Sequence, residues 1–216
     1  MTAVELLGWT GTVTGTILGL PQAVRLLRTG RVDGLSMTAW QAMLVINLIW
    51  TAHGLRIGQA PQVLTSALSL CATLPILHLL ARKRERHLLL VMLPSIGGAC
   101  ALIGVDQFLG PAAFGSAAIV PAVVANAGQS LQFLRAPHIV GVSGLFLALA
   151  VLNQGVWLSW ATAVPDPSTV IAASVTGTIT VFNLTWWWLR TRQVPPGGER
   201  SVRRDLPGRP SADRAR

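Results

Sequence analysis

The chain carries little charge, and this separates it from most soluble proteins. Asp, Glu, Lys and Arg make up 12% of its 216 residues, whereas soluble domains carry about 25%. Hydrophobic residues make up 51%, and the mean hydropathy is +0.55. The net charge is +9, but the 17 Lys and Arg lie in short clusters between long uncharged stretches, so no basic face for nucleic acid is expected. A water-soluble enzyme and a nucleic-acid-binding protein are both disfavoured.

Cysteine and tyrosine are scarce as well. The two cysteines, Cys71 and Cys100, lie in apolar runs, so a disulfide framework has no support. The chain has no tyrosine, and the Asp-Arg-Tyr and Asn-Pro-x-x-Tyr signatures of G-protein-coupled receptors are therefore missing. Neither a histidine-rich cluster nor a carboxylate pair falls within an apolar stretch, so we predict no metal, no cofactor and no enzymatic activity.

What the chain does have is a series of uncharged stretches near or above the roughly 20 residues that a membrane-spanning helix needs. They predict seven transmembrane helices, at about 4–26, 37–55, 60–81, 88–106, 112–134, 142–163 and 168–190. Every Lys and Arg except Arg56 falls on one side of this arrangement. The positive-inside rule then predicts a multi-pass protein of the cell membrane with its N-terminus outside and its C-terminus in the cytoplasm.

Two parts of the chain repeat one another. At one constant spacing, the recurring polar and aromatic residues pair as Gln22 with Gln129, Ser36 with Ser143, and Trp50 with Trp157. One extra residue in the second half is then predicted to pair Ser66 with Ser174. Two three-helix repeats keep the same orientation only if a single helix separates them, so we predict an all-α integral membrane protein with two parallel three-helix bundles joined by a linker helix (3+1+3).

This prediction divides the chain into four parts. Residues 1–82 form the first repeat, residues 83–111 a cytoplasmic loop and the linker helix, and residues 112–192 the second repeat. Residues 193–216 are rich in Pro, Gly and Arg, and we predict a disordered basic tail.

Three segments resemble a known family. Gly19-Leu20-Pro21-Gln22, the basic loop ending in Gly34-Leu35-Ser36, and Ile49-Trp50 followed by Gly54 are similar to the PQ-loop superfamily, and most similar to its SWEET and SemiSWEET sugar transporters. The resemblance covers about residues 10–85 and, more weakly, 117–192. It implies facilitated (uniport) diffusion of a sugar or similar small polar solute by alternating access, within membrane lipid, and it leaves a homo-oligomer open.

A sugar pathway needs polar and aromatic side chains at mid-depth, and the second helix of each repeat supplies both. Asn47 with Trp50, and Gln154 with Trp157, offer two carboxamides for sugar hydroxyls and two indoles for the apolar sugar face. The resemblance makes Trp50 a pocket aromatic and adds Ser66 and Ser174, which stand where the family has an asparagine that contacts sugar. Asn183 is a further candidate, although helix packing explains it equally simply. Packing between helices is the alternative explanation for all these residues.

Gating residues are expected near the bends and ends of the helices. Pro21 removes a backbone donor inside the first helix and predicts a hinge there, with Gln22 beside it and Gln129 at the matching place in the second half. His53 lies one turn from Trp50 and is expected either to line an outer gate or to reach the membrane interface.

The predicted spans lack acidic and basic residues in their interiors, which favours facilitated diffusion over ion-coupled pumping. Two alternatives stay open: a PQ-loop type transporter of amino acids or other metabolites, and a seven-helix receptor or scaffold that transports nothing.

Overall fold

The computed structural model describes residues 1–30, 35–135 and 143–192. All regular secondary structure in this part of the chain is helical. The seven helices found there are α1 (Ala3–Thr29), α2 (Met37–Arg56), α3 (Ala60–Lys83), α4 (Leu88–Phe108), α5 (Pro111–Arg135), α6 (Gly144–Ala163) and α7 (Pro167–Arg192).

Local capping explains where several helices begin. Thr2 and Glu5 form a capping box at the start of α1, in which each side chain accepts a hydrogen bond from the backbone N–H of the other residue. Ser36 and Ser143 are the N-caps of α2 and α6, and each hydroxyl accepts from the N–H three residues on. The predicted pairing of these two serines is therefore also a structural equivalence.

Four of the helices are long and apolar enough to cross a membrane, namely α3, α4, α6 and α7, and α5 contributes a shorter apolar stretch, Pro111–Asn126. These helices indicate a membrane protein. Helix α2 is less apolar because it carries Gln41, Asn47 and His53, which bond neighbouring segments of the chain. The Gln41 side chain, for example, donates to the Val91 carbonyl of α4 at 2.6 Å.

The helices pack in two sets with matching neighbours. Helix α3 contacts both α1 and α2, and α7 contacts both α5 and α6. Across the sets, α1 packs on α6 and α2 packs on α5, while α4 packs on α2, α5 and α3. The sequence repeat matches α1 to α5 and α2 to α6, so the two cross-contacts are copies of one interface. We call α1–α3 the first half and α5–α7 the second half.

The loop between α6 and α7 does not contain the extra residue that the sequence predicts there. Helix α3 begins at Ala60 and α7 at Pro167, which is the same spacing as that between Trp50 and Trp157. The pattern of burial follows the same spacing, because Ser66 and Ala173, which this spacing pairs, are both buried. Ser174, the predicted partner of Ser66, is exposed. The pairing of Ser66 with Ser174 is therefore corrected to Ser66 with Ala173.

Candidate functional site

Short connections place the α2–α3, α4–α5 and α6–α7 junctions at one end of the bundle, together with the start of α1. We call this end the His53 end, and the opposite one, which carries the junction of α3 and α4, the Arg84 end. The two halves meet most closely near the His53 end, and this meeting surface contains the candidate site.

Glycines let α1 approach α6 closely. A side-chain carbon at Gly8 would lie 2.9 Å from the Trp160 indole nitrogen, and one at Gly11 would lie 2.8 Å from Cε2 of Trp157. Asn153, farther from the His53 end, donates to the Gly11 carbonyl at 3.0 Å and to the Thr14 hydroxyl at 2.7 Å. Two indoles and one carboxamide thus seal the contact between α1 and α6.

This close contact does not continue along α1. A side-chain carbon at Gly15 would still lie 3.6 Å from Asn153, but one at Gly19 would meet no atom of the described residues within 4 Å. One helical turn separates these positions. The surface of α1 at Gly19 is therefore open toward the Arg84 end.

The matching contact between α2 and α5 is aromatic. Phe114 of α5 is fully buried, stacks on the His53 ring at 4.9 Å, and meets the edge of Trp50 at 5.2 Å. Ile49 of α2 and Ala118 of α5 continue the packing. Trp50 lies one turn from His53 toward the Arg84 end and covers it on that side, while Phe114 stacks against the His53 ring.

His53 joins segments from three parts of the fold. Its Nδ1 lies 2.8 Å from Oδ2 of Asp106 in α4, and its Nε2 lies 3.2 Å from Oδ1 of Asp166, just before α7. Arg56 holds the same Asp106 with two hydrogen bonds, of 2.8 and 2.6 Å. The His53 side chain has no exposed surface, and both carboxylates are buried. We refer to His53, Arg56, Asp106 and Asp166 as the His53 cluster.

The geometry of the His53 cluster defines its protonation. An ionised carboxylate only accepts hydrogen bonds, so a ring nitrogen that faces one must carry a hydrogen. Arg56 Nη2 lies 3.3 Å from His53 Nδ1, but Asp106 is closer and would repel an unprotonated nitrogen. With both carboxylates ionised, both ring nitrogens donate and the ring is an imidazolium, whose charge together with that of Arg56 balances the two carboxylates.

Asp166 also anchors the start of α7. Its carboxylate accepts from the Ser168 N–H at 3.0 Å and from the Thr169 hydroxyl at 2.5 Å. Burial alone raises the pKa of Asp166, but hydrogen bonds from His53 and Thr169, the nearby His53 charge and the Ser168 N–H together hold this pKa below its ordinary value. Gln62 of the first half donates to Thr169 at 3.3 Å, which adds a further link between the halves.

Two predicted pocket residues instead bond neighbouring helices. The Asn47 carboxamide is buried and donates to the Thr73 hydroxyl of α3 at 2.9 Å. Asn183 is buried and accepts from the Ser130 hydroxyl of α5 at 3.1 Å. Each side chain holds two helices of the same half together, which is the packing alternative left open by the sequence.

Four predicted residues have exposed side-chain surface, or polar atoms that make no hydrogen bond with the described residues. Trp50, Gln154 and Trp157 are partly exposed, and the hydrogen bonds described for this part of the chain use none of their polar side-chain atoms. Ser66 is buried, and its hydroxyl likewise has no partner among the described residues. Trp50 and Trp157 lie on separate contacts between the halves and are not stacked on each other.

The other predicted site residues have different outcomes. The Ser174 hydroxyl is exposed and donates to the Val170 carbonyl of its own helix at 2.7 Å. Pro21 and Gln22 lie within α1, and Gln129 within α5, but their side chains are outside the described set, so the hinge stays a prediction. His53 does not reach the interface, because it is fully buried.

Asp106 and Asp166 were not predicted as site residues, because in the sequence they look like charges in outer loops. Both are buried in the structure. Their sequence signal was weak, because each carboxylate stands alone next to a helix end. Arg56 three residues after His53 was the one available hint, since two basic side chains at one helix end favour acidic partners nearby.

No protein-family model matches the chain, and no curated protein matches it significantly.

Proposed function

We propose that the chain is a seven-helix membrane carrier of the PQ-loop type, with a 3+1+3 arrangement, which moves a sugar or similar small polar solute by facilitated diffusion. The observation that carries the proposal is the contact between the halves, which is close at the His53 end and open at Gly19. This is the form expected of an alternating-access carrier that is closed at one end.

The matching packing of the two halves supports the 3+1+3 arrangement. Helix pairs α1 with α6 and α2 with α5 are one contact that occurs twice, and α4 lies beside α2 and α5. In such a duplicated protein, a solute between the halves meets related side chains from both. Trp50 and Trp157 are such a pair.

Available polar groups favour an uncharged solute. Gln154, Ser66 and the two indole N–H groups offer donors and acceptors, and the indole faces suit the apolar side of a sugar ring. The buried carboxylates of Asp106 and Asp166 are already balanced by His53 and Arg56. No free counter-charge for an amino acid therefore remains within the His53 cluster.

Counterflow in proteoliposomes tests the function directly. The proteoliposomes are loaded with unlabelled solute and assayed with labelled mono- and disaccharides, polyols and amino acids. We expect exchange of at least one sugar or polyol that persists after ionophores collapse the proton gradient and membrane potential. Exchange of amino acids alone would favour the metabolite-transporter alternative, and no exchange of any solute would favour a receptor or scaffold.

Tryptophan variants test the site. Trp50→Ala and Trp157→Ala are expected to weaken solute binding by about ten- to hundredfold, which corresponds to losing about 1–3 kcal/mol of ring contact. Trp188→Ala is the matched control, because Trp188 is exposed near the Arg84 end and carries Arg192 over its ring at 3.6 Å. Equal transport by all three variants would remove the assignment of Trp50 and Trp157.

The proposed orientation has its own test. Single cysteines introduced at Arg84 and at Gln107 are labelled with a membrane-impermeant maleimide in intact cells. We expect labelling at Gln107 and none at Arg84, since the Arg-rich end is proposed to be cytoplasmic. The reverse pattern would invert the topology.

A further inference from the structure

We propose that the His53 cluster is a proton-held latch, in which the protonated His53 ring fastens the two halves together and loss of its proton releases them. The latch acts on the carrier described under Proposed function, and it makes closure of the His53 end sensitive to pH. The linker helix α4 takes part in it through Asp106.

The cluster spans the boundary that must open. Arg56 and Asp106 form a pair of hydrogen bonds between α2 and α4, which also pack along much of their length. Asp166 belongs to the second half and reaches the cluster only through His53. Separation of the halves therefore breaks the contact of His53 with Asp166 and leaves the contact of Arg56 with Asp106 in place.

The charge balance gives the latch its direction. In the closed form the imidazolium has two carboxylate partners, whereas after separation it shares one carboxylate with Arg56. The closed form thus holds the proton more firmly than the open form. By linkage, removal of the proton favours opening, so closure weakens as the pH rises through the range in which histidines titrate.

No other titratable group offsets this balance near His53 in the described part of the chain. Helix α5 presents Phe114 to the ring. Helix α3 carries no acid or base between its start at Ala60 and His78, which lies toward the Arg84 end. Glu5 at the same end as His53 is exposed and pairs with the N-terminal amine. The ring therefore responds to Arg56, Asp106 and Asp166 alone.

The proton enters and leaves from the His53 end. Trp50, one turn toward the Arg84 end, packs against the ring at a centroid distance of 5.6 Å, and Phe114 stacks on the ring at 4.9 Å. A proton released on opening returns to the solution from which it came. The latch thus makes opening depend on pH without carrying protons across the membrane, and it is compatible with uncoupled solute movement.

In the closed form, some buried polar atoms of the described residues make no hydrogen bond. Oε1 of Gln62 and Nε1 of Trp160 are buried with no hydrogen-bond partner among the described residues. Both lie at the contact of the halves near the His53 end, since Gln62 bonds Thr169 and Trp160 adjoins Gly8. Opening would hydrate both atoms, so the closed form needs a compensating interaction, which the His53 cluster supplies.

Distances between spin labels test the latch without any solute. Leu55 of α2 and Thr162 of α6 are exposed, close to the His53 end, and in different halves. Both are replaced by labelled cysteines in a protein whose Cys71 and Cys100 are alanine, reconstituted in lipid at pH 6, 7, 8 and 9. We expect the ratio of long to short distances to rise with pH, by up to about tenfold per unit.

Variants separate the latch from a general effect of pH. His53→Gln removes the titrating ring, and Asp166→Asn removes the charge in the second half while keeping an oxygen to cap α7. Either variant is expected to abolish the response between pH 6 and 9. His87→Gln is the matched control, because His87 is exposed near the Arg84 end, and it should respond like the parent protein.

The outcomes decide the proposal independently of transport. Distances that do not change with pH in the parent protein, or a response that persists in His53→Gln, would overturn it. If His53→Gln does not fold, an unchanged response in Asp166→Asn has the same meaning. A pH-dependent opening in a protein that exchanges no solute would support the latch and count against the proposed function.

Discussion

Gly11 offers the sharpest test of the sealed contact, because an added methyl group there has no room. A side-chain carbon would lie 2.8 Å from Cε2 and 3.0 Å from Cζ2 of Trp157. The ring cannot easily retreat, since its edge meets Trp160, which is fully buried, at a centroid distance of 5.3 Å. Gly11→Ala is therefore expected to push the halves apart at the His53 end.

The expected size follows from comparison with Gly155→Ala. Gly155 lies on α6, is exposed, and has no atom of the described part of the chain within 4 Å of an added carbon. Both substitutions gain about 1 kcal/mol of helix propensity, but only Gly11→Ala adds an overpacking cost of about 1–3 kcal/mol. The gain in helix propensity is the same for both variants and cancels when they are compared. The remaining difference of about 1–3 kcal/mol corresponds to roughly a 5- to 150-fold shift of the equilibrium from the closed to the open form.

Two measurements check this prediction. Unfolding in detergent, followed by tryptophan fluorescence, should show Gly155→Ala to be more stable than Gly11→Ala. The label pair at Leu55 and Thr162 should report more of the long distance in Gly11→Ala. If the two variants have the same stability and the same distance distribution, the tight contact between α1 and α6 is refuted.

Three further predictions follow from the same surface. Asn153→Ala removes two hydrogen bonds to α1 and should destabilise the folded protein by about 1–3 kcal/mol, whereas Asn126→Ala, whose side chain bonds only its own helix, should change stability far less in the same unfolding assay. Because folding lowers the pKa of Asp166, its stabilising contribution is complete above the unfolded value of about 3.9 and is lost as the pH falls through the lower folded value; the melting temperature should drop below about pH 4, and less so in Asp166→Asn. Ser66→Asn combined with Ala173→Asn should maintain or strengthen sugar binding in equilibrium binding assays, since longer carboxamides reach from both halves, and weaker binding would show that these positions do not face the solute.

The helical organisation could be predicted from sequence because charge marks the ends of apolar segments. Uncharged stretches located all seven helices to within a few residues. The sequence predicted seven membrane spans, and four of the helices, α3, α4, α6 and α7, are long and apolar enough to cross a membrane. The repeat also paired Ser36 with Ser143, and the structure shows that both are N-caps, whose shared local hydrogen bond explains why position and residue type recur.

The register of the third helices shows where this reasoning failed. Ser66 and Ser174 were paired by residue type, although burial pairs Ser66 with Ala173. A serine in an apolar helix satisfies its hydroxyl on its own backbone, as Ser174 does with Val170, so it can occupy an exposed face at little cost. Residue type alone therefore does not identify the face on which a small polar residue lies.

The His53 cluster could not be predicted because its members come from distant parts of the chain. Asp106 and Asp166 are 53 and 113 residues from His53, and each looked like an ordinary loop acid. Burial of one such group alone would be unfavourable by several kcal/mol. Burial of His53, Asp106 and Asp166 together is acceptable because their charges are balanced with the help of the partly exposed Arg56, and that balance exists only once the two halves and α4 have packed. The same dependence explains why the cluster suits a gate. Its charges are balanced only while the halves are in contact, so separation of the halves also ends the burial of these charges.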